Sequence, residues 1–363
     1  MRNEKLKKAF IFLTVFLLPR LIFAQSSSLS LDETISVLYS NDGKSREEFH
    51  WDPFLQEGSF TIGGHYGAFS TAFTAGKNGF LMLDNREIYN VPMPYLEKGE
   101  LVFPELFVTT AKNAFANSIG EDSSHYRISA IIIDPGHGGK DTGATSDQVI
   151  NGKTQKIIEK DITLSASKML RDMLIKAYPD KRILMTRESD ISCSLEERTS
   201  IANSVPVRKN EAIIYISIHA NASPNNKNAR GYEVWHLSPN YRRNLLDESD
   251  YSDSPELRTI MNFLTEEAFS AESIRIAQSI LDALGTAMGK SMPSRGLKDQ
   301  EWFVVRHSRM PAVLVELGFV TNKEDAQLMT VGTGLNNLVE AVYKGIAEFV
   351  GDFEKSGGFI ASR

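Results

Sequence analysis

One cysteine in 363 residues excludes an intramolecular disulfide and a thiolate metal cluster. Any bound metal must therefore draw mainly on His, Asp and Glu. Positive charge is not in excess: 40 Lys and Arg stand against 46 Asp and Glu, a formal net charge of −6. That balance gives no reason to expect a nucleic-acid partner. Long apolar runs are scarce. Ala9–Leu18 is too short to span a bilayer, and no later segment is apolar enough to do so. Internal repeats and long low-complexity tracts are missing as well, which excludes solenoids and arrays. What remains is an ordinary globular composition with length for one large domain and a smaller one.

The first residues form a targeting pattern. Arg2, Lys5, Lys7 and Lys8 precede the short apolar run, which Pro19 and Arg20 interrupt before Ala24. Residues 1–24 read as a signal peptide, with an uncleaved anchor as the alternative because of Arg20. The chain is thus expected to be exported, to the periplasm or cell envelope, with no stable membrane insertion once the leader is removed. Residues 25–126 read as a β-rich N-terminal module of unknown role. Its short apolar runs (FTIGGHYGAF, FLMLDNREIY, ELVFPELFVTTAKNAF) are separated by turn formers. Asn117–Arg127 is a polar linker. His50, His65 and His125 lie here in no metal-like spacing and read as ordinary residues.

Residues 127–353 alternate strand-like and helix-like segments. Strands are expected near Ile131–Ile133, over Arg182–Thr186, Glu211–Ile218, Gly231–His236 and Pro311–Leu317. Helices are expected over Glu159–Ala177, Leu195–Ser204, Ala271–Met288 and Asn336–Val350. This is the signature of an α/β domain with a mainly parallel sheet flanked by helices. Leu237–Ser270 reads as an acidic insertion between strand and helix.

The organising stretch is AIIIDPGHGGKDTGA, Ala130–Ala144. A β-branched run meets Pro and Gly residues, so a buried strand ends in a sharp loop bearing His137. In parallel α/β sheets, ligands bind at the carboxyl ends of strands. Three other polar residues share that topology: Glu159 at a helix start, His219 at the end of IIYISIHANA, and Glu316 within VLVELGF. Two histidines and a carboxylate are a known ligand set for catalytic zinc, and a further acid that does not ligate can act as general base. Read singly, each residue has a plainer account: a solvated turn histidine, a carboxylate favoured by the helix dipole, a rim glutamate. Four such intrusions on one rim favour the metal reading.

These stretches, with EKDITLSASKML, RILMTRESDISCSLEERTSIAN, ISIHANASPN and RGLKDQEWFVVRHSRMPAVLVELGFVTN, resemble the exported zinc-dependent N-acetylmuramoyl-L-alanine amidases of the amidase-3 type, in that family's order. The resemblance implies that His137, Glu159 and His219 bind Zn2+ and that Glu316 is the catalytic glutamate. It also implies hydrolysis of the amide joining N-acetylmuramic acid to L-alanine, with peptidoglycan as the partner. An activator protein is left open. The alternatives are a zinc peptidase of the same fold acting on stem peptides, and a non-catalytic wall-binding regulator. Two features depart from the simplest members. Asn151–Lys156 lengthens the loop before Glu159, and the 237–270 insertion occupies the place of a blocking helix in some relatives, which raises autoinhibition as a hypothesis.

Among secondary candidates, Asn221 could orient His219 or touch substrate, and Arg295 lies in a stretch that could contact peptide carboxylates. Asp134 is expected to buttress the His137 loop. Glu233 and His236 read as structural, His307 as a loop residue, Cys193 as a bystander, and Glu196, Glu197 and Arg198 as helix-surface charges.

Overall fold

The structure is a computed structural model that describes residues 28–39, 49–62, 65–72, 74–83, 87–120, 126–208, 210–247 and 255–359. The expected signal peptide and His125 lie outside the described residues. No helix among the described residues is long and apolar enough to cross a membrane. The chain divides into two compact units. One takes its described residues from 1–60, 68–81 and 89–112, the other from 61–67, 82–88 and 113–363.

The N-terminal region is β-rich. Strands β1 (Ser28–Ser30), β7 (Tyr95–Glu97) and β8 (Glu100–Pro104) form one antiparallel sheet in the order β1-β8-β7. Strands β2 (Phe49–Asp52), β3 (Glu57–Ile62), β4 (His65–Ser70), β5 (Asn78–Leu83) and β6 (Glu87–Pro92) form a second, in sequence order. Phe69 packs edge-on to Phe103 and Phe107, at 5.7 and 5.2 Å between centroids. Two helices, α1 (Leu31–Leu38) and α2 (Glu105–Gly120), accompany the strands. Helix α2 replaces part of the expected strand pattern and runs into the expected linker. Its buried Phe107, Val108, Ala111, Ala114 and Phe115 recur at helical spacing, and Pro104 stands just before its start.

The second unit holds a six-stranded sheet in the order β12-β9-β13-β16-β14-β15. Its strands are β9 (Arg127–Pro135), β12 (Arg182–Met185), β13 (Glu211–Asn221), β14 (Tyr232–His236), β15 (Ser294–Asp299) and β16 (Ala312–Phe319). The pairs β12/β9, β9/β13, β13/β16 and β14/β15 are parallel, and β14/β16 is antiparallel. Both faces are covered, as a near-continuous apolar strand composition requires. Along β9, Ile131 and Ile133 pack with helices α3 (Glu159–Ala177), α5 (Pro255–Met288) and α8 (Gly334–Lys355). Ala130 and Ile132 join the opposite cluster, with Ala202 of α4 (Leu195–Asn203) and Val304 and Val305 of α6 (Phe303–His307). Helix α7 (Lys323–Thr330) follows β16.

Two expectations change here. The lengthened loop before Glu159 is a β-hairpin, β10 (Thr145–Ile150) with β11 (Lys153–Ile158). Its two turn residues, Asn151 and Gly152, both have positive φ, 49° and 74°. Asn-Gly is the preferred pair for such a turn. The carboxyl part of the insertion, residues 255–270, is helix, since α5 begins at Pro255 rather than Ala271.

Candidate metal centre and active site

Strand β9 ends at Pro135, and His137 follows with φ 59°, a left-handed conformation uncommon outside glycine. Two buried arginines hold the loop in it. Arg187 donates from Nε to the Pro135 carbonyl (3.0 Å) and from Nη2 to that of Gly136 (2.8 Å). Arg198 donates to the carbonyls of Pro135 and His137 and pairs with Asp134. Thr186 and Ser217 also donate to Asp134. Burial works against ionisation of Asp134, but the Arg198 charge and the hydrogen bonds from Thr186 and Arg198 more than offset it, so the carboxyl lies below its ordinary range. Asp134 thus has the contacts of a buttress. Arg198 is not a helix-surface charge: it is 2% exposed and lies beneath the loop. Glu197 instead closes a capping box with Ser194 at the start of α4.

Above this floor three side chains meet. Glu159 is the first residue of α3, yet it does not cap its own helix. Its Oε2 accepts from the Ala144 backbone N–H (2.8 Å) and its Oε1 from that of Ala220 (3.1 Å). The same Oε1 lies 3.1 Å from Nε2 of His137 and 3.1 Å from Nδ1 of His219. All three ligand atoms fall within 4.8 Å of one another. Asp141 Oδ2 lies 2.8 Å from Nδ1 of His137, which leaves Nε2 aimed at the cluster. Burial opposes charge on Glu159, but hydrogen bonds and the charges of His137 and His219 drive its carboxyl far below the usual range. Burial likewise opposes protonation of His137, and Glu159 and Asp141 override it, raising that imidazole above its ordinary value.

Two glycines make room for the cluster. A Cβ on Gly136 would sit 2.3 Å from Cε1 of His219. On Gly143, itself at φ +61°, it would sit 2.5 Å from Oε2 of Glu159 and 2.6 Å from Cδ2 of His137. The donor set, two imidazole nitrogens and one carboxylate with a carboxylate behind one imidazole, fits a borderline divalent cation. Among the described residues this is the one group of three or more such side chains that could hold a metal.

Glu316 stands beside this group. In parallel register it is the neighbour of His219 across β13 and β16, and in antiparallel register it faces Glu233 on β14. Its Oε2 is buried without a hydrogen-bond partner. Burial, with the charges of Glu159 and Glu233, pushes its carboxyl well above the ordinary value against the pull of Lys298. From Glu316 a cleft of about 640 Å3 opens past Asn221, Glu233, Trp235, Arg295 and Trp302. Glu233 accepts from Asn221 Nδ2 (2.7 Å), Arg295 Nε (2.7 Å) and Lys298 Nζ. The Asn221 amide is therefore spent on Glu233 and on the Ala222 N–H (2.8 Å), not on His219.

Sequence reasoning left Glu233 as merely structural and did not single out Arg187, Lys298 or Asp141. The reason for Glu233 is topological. Strand β14 runs antiparallel to β16, so its amino end falls on the rim where β9, β12, β13 and β16 have their carboxyl ends. His236 and His307 are not among the cluster's ligands. His50 is exposed on β2, His236 is buried with Nδ1 2.8 Å from the Leu237 carbonyl, and His307 ends α6 rather than lying in a loop. Cys193 is half-buried and burial raises its thiol, consistent with an inert bystander. The described part of 237–270 supplies no residue to the cleft. Arg243 instead pairs with Glu266 and donates to the Ser308 and Met310 carbonyls.

Residues 131–348 match the family model Amidase_3, described as N-acetylmuramoyl-L-alanine amidase. The endolysin of Bacillus phage SPP1 is 30% identical over 229 residues, 63% of this chain and 68% of that protein. The probable N-acetylmuramoyl-L-alanine amidase AmiB of Haemophilus influenzae is 32% identical over 275 residues, 69% of this chain and 57% of that protein. Among solved structures, the N-acetylmuramoyl-L-alanine amidase AmiC2 of Nostoc punctiforme is 25% identical with a TM-score of 0.45, covering 61% of this chain and 97% of that one.

Proposed function

The chain belongs to the Amidase_3 family of N-acetylmuramoyl-L-alanine amidases, and on that premise we propose that it hydrolyses the amide bond between N-acetylmuramic acid and L-alanine in peptidoglycan. Residues 127–353 are the catalytic domain in this reading, and the enzyme acts in the cell envelope, where its substrate lies. His137 through Nε2, His219 through Nδ1 and the Glu159 carboxylate are the residues that would hold a zinc ion. When bound, zinc supplies a Lewis acid and eases the ionisation of water near neutral pH. Asp141 keeps the His137 ring in the orientation and tautomer that present Nε2. The backbone N–H groups of Ala144 and Ala220 hold the Glu159 carboxylate in place.

Glu316 is the proton carrier. Its unpartnered Oε2 takes the proton of the attacking water and returns it to the departing alanine nitrogen. The leaving amine departs protonated and the lactyl carbonyl becomes a carboxylate.

The observation that carries this reading is the convergence of three ligand atoms within 4.8 Å, one strand away from Glu316, in a chain of this family. The test is metal analysis together with product analysis on isolated sacculi. Wild-type protein is expected to contain zinc and to release intact stem peptides beginning with L-alanine. Glu316→Ala is expected to keep its zinc and lose about 10²–10⁴-fold in rate, whereas His137→Ala and His219→Ala lose both. Shortened stem peptides, or near-normal turnover by Glu316→Ala, would overturn the assignment.

A further inference from the structure

The cleft beside Glu316 has a charge pattern that hydrolysis alone does not require. Glu233 lies at its wall, 1% exposed, and is held ionised by two cations, Arg295 and Lys298, against the cost of burial. The three groups together leave one positive charge in excess. Lys298 spends its ammonium on Glu233 and lies 5.0 Å above the Trp235 ring. Arg230, the other arginine of the cleft, is taken up by Glu324 and Asp325.

Arg295 is different. Its Nε is anchored 2.7 Å from Glu233, and its guanidinium lies 4.9 Å from the centre of the Phe319 ring. Its side chain is 36% exposed, and among the described residues no acceptor meets its two η nitrogens. A guanidinium fixed along one edge and on one face presents its remaining edge as a fork for a carboxylate.

Resting on the amidase reading above, we infer that this cleft receives the peptide side of the substrate and that Arg295 is a specificity-determining residue that binds a free carboxylate of the stem peptide. The direction follows from the substrate's chemistry. The lactyl group of the sugar carries no charge until its amide is cleaved. The stem peptide is anionic beforehand, through the carboxyls of its glutamate and later residues. A cation beside the general base therefore distinguishes the two sides of the bond in the uncleaved substrate. Trp235 and Trp302, edge to face at 5.8 Å, give the cleft an apolar wall for the intervening backbone and methyl groups.

The experiment compares kcat/KM for two soluble substrates: N-acetylmuramoyl-L-Ala-D-Glu with both glutamate carboxyls free, and the same compound with both amidated. Wild-type enzyme is expected to favour the free acid by about tenfold or more, expressed mainly in KM. Arg295→Gln is expected to bring the ratio close to one. Arg295→Lys, which keeps the charge and the Glu233 pair but not the fork, gives an intermediate ratio and serves if the glutamine variant does not fold. A wild-type enzyme that cleaves both substrates equally overturns the inference and leaves the amidase reading standing. So does an Arg295→Gln variant with the wild-type ratio. A zinc-loaded wild type that cleaves neither overturns both.

Discussion

Gly136 shows how narrow the tolerances of the centre are at the scale of single residues. The His219 ring occupies the space where a side chain at 136 would begin. Gly136→Ala is therefore expected to displace that ring and cut zinc retention and turnover by about 10–100-fold. Metal content measured after dialysis checks this directly, since loss of a ligand's position costs affinity before it costs the fold. Asp134 offers a test of stability. It is fully buried, and its partner Arg198 is 2% exposed. Asp134→Asn leaves that guanidinium without its counter-charge, and a loss of about 3–5 kcal/mol is expected in denaturant titration. The pH dependence has a definite sign. The folded carboxyl lies below the ordinary 3.8, so its contribution is complete above that value and is lost as pH falls through the folded one. Wild-type stability should consequently fall more steeply with acid below about pH 4 than that of Asp134→Asn.

At the scale of elements, helices and strands act as carriers for these side chains. Helix α4 brings Arg198 under the His137 loop, and its start is closed by the Ser194–Glu197 capping box. Ser194→Ala should cost about 1 kcal/mol, a shift of a few degrees in Tm, with zinc content unchanged. The amino half of α5 is tied down by Arg243, 4% exposed in its side chain, which pairs with Glu266 at 2.8 Å and holds the carbonyls just before β16. Arg243→Ala strands the Glu266 carboxylate and is expected to destabilise the protein by about 3–5 kcal/mol. Those contacts give the segment a packing role in the state described. Autoinhibition would require α5 or its flank to reach the cleft, and its described residues do not line it.

For the whole molecule, a ligand that binds the folded state and not the unfolded chain stabilises it in proportion to the logarithm of its concentration over Kd. Saturating zinc at 1,000-fold over Kd is expected to add about 4 kcal/mol, and a chelator to remove it. His137→Ala should abolish the zinc-dependent shift in Tm, which a thermal scan with and without chelator would measure. The same scan on Glu316→Ala should keep the shift, because that residue lies beside the cluster without belonging to it.

The sequence alone determined the alternation of strands and helices in the second unit, because the side-chain period of each element is local. Helix α3 begins and ends where its spacing puts it, at Glu159 and Ala177. It also determined which four residues to inspect, since the loop after β9, the start of α3 and the ends of β13 and β16 announce themselves in glycine, proline and isolated polar residues. The Asn-Gly turn of the hairpin and the buried stripe of α2 were legible too, though the expectation there was loop and strand. Tertiary structure decided the rest. Arg198 has the sequence context of a surface helix charge, and only the packing of α4 beneath the His137 loop makes it a buried partner of Asp134. Glu233 and Arg295 reach the rim only because β14 and β15 run opposite to β16, β13, β9 and β12. Strand direction within a sheet is set by non-local pairing, so no local pattern could place those two side chains beside Glu316.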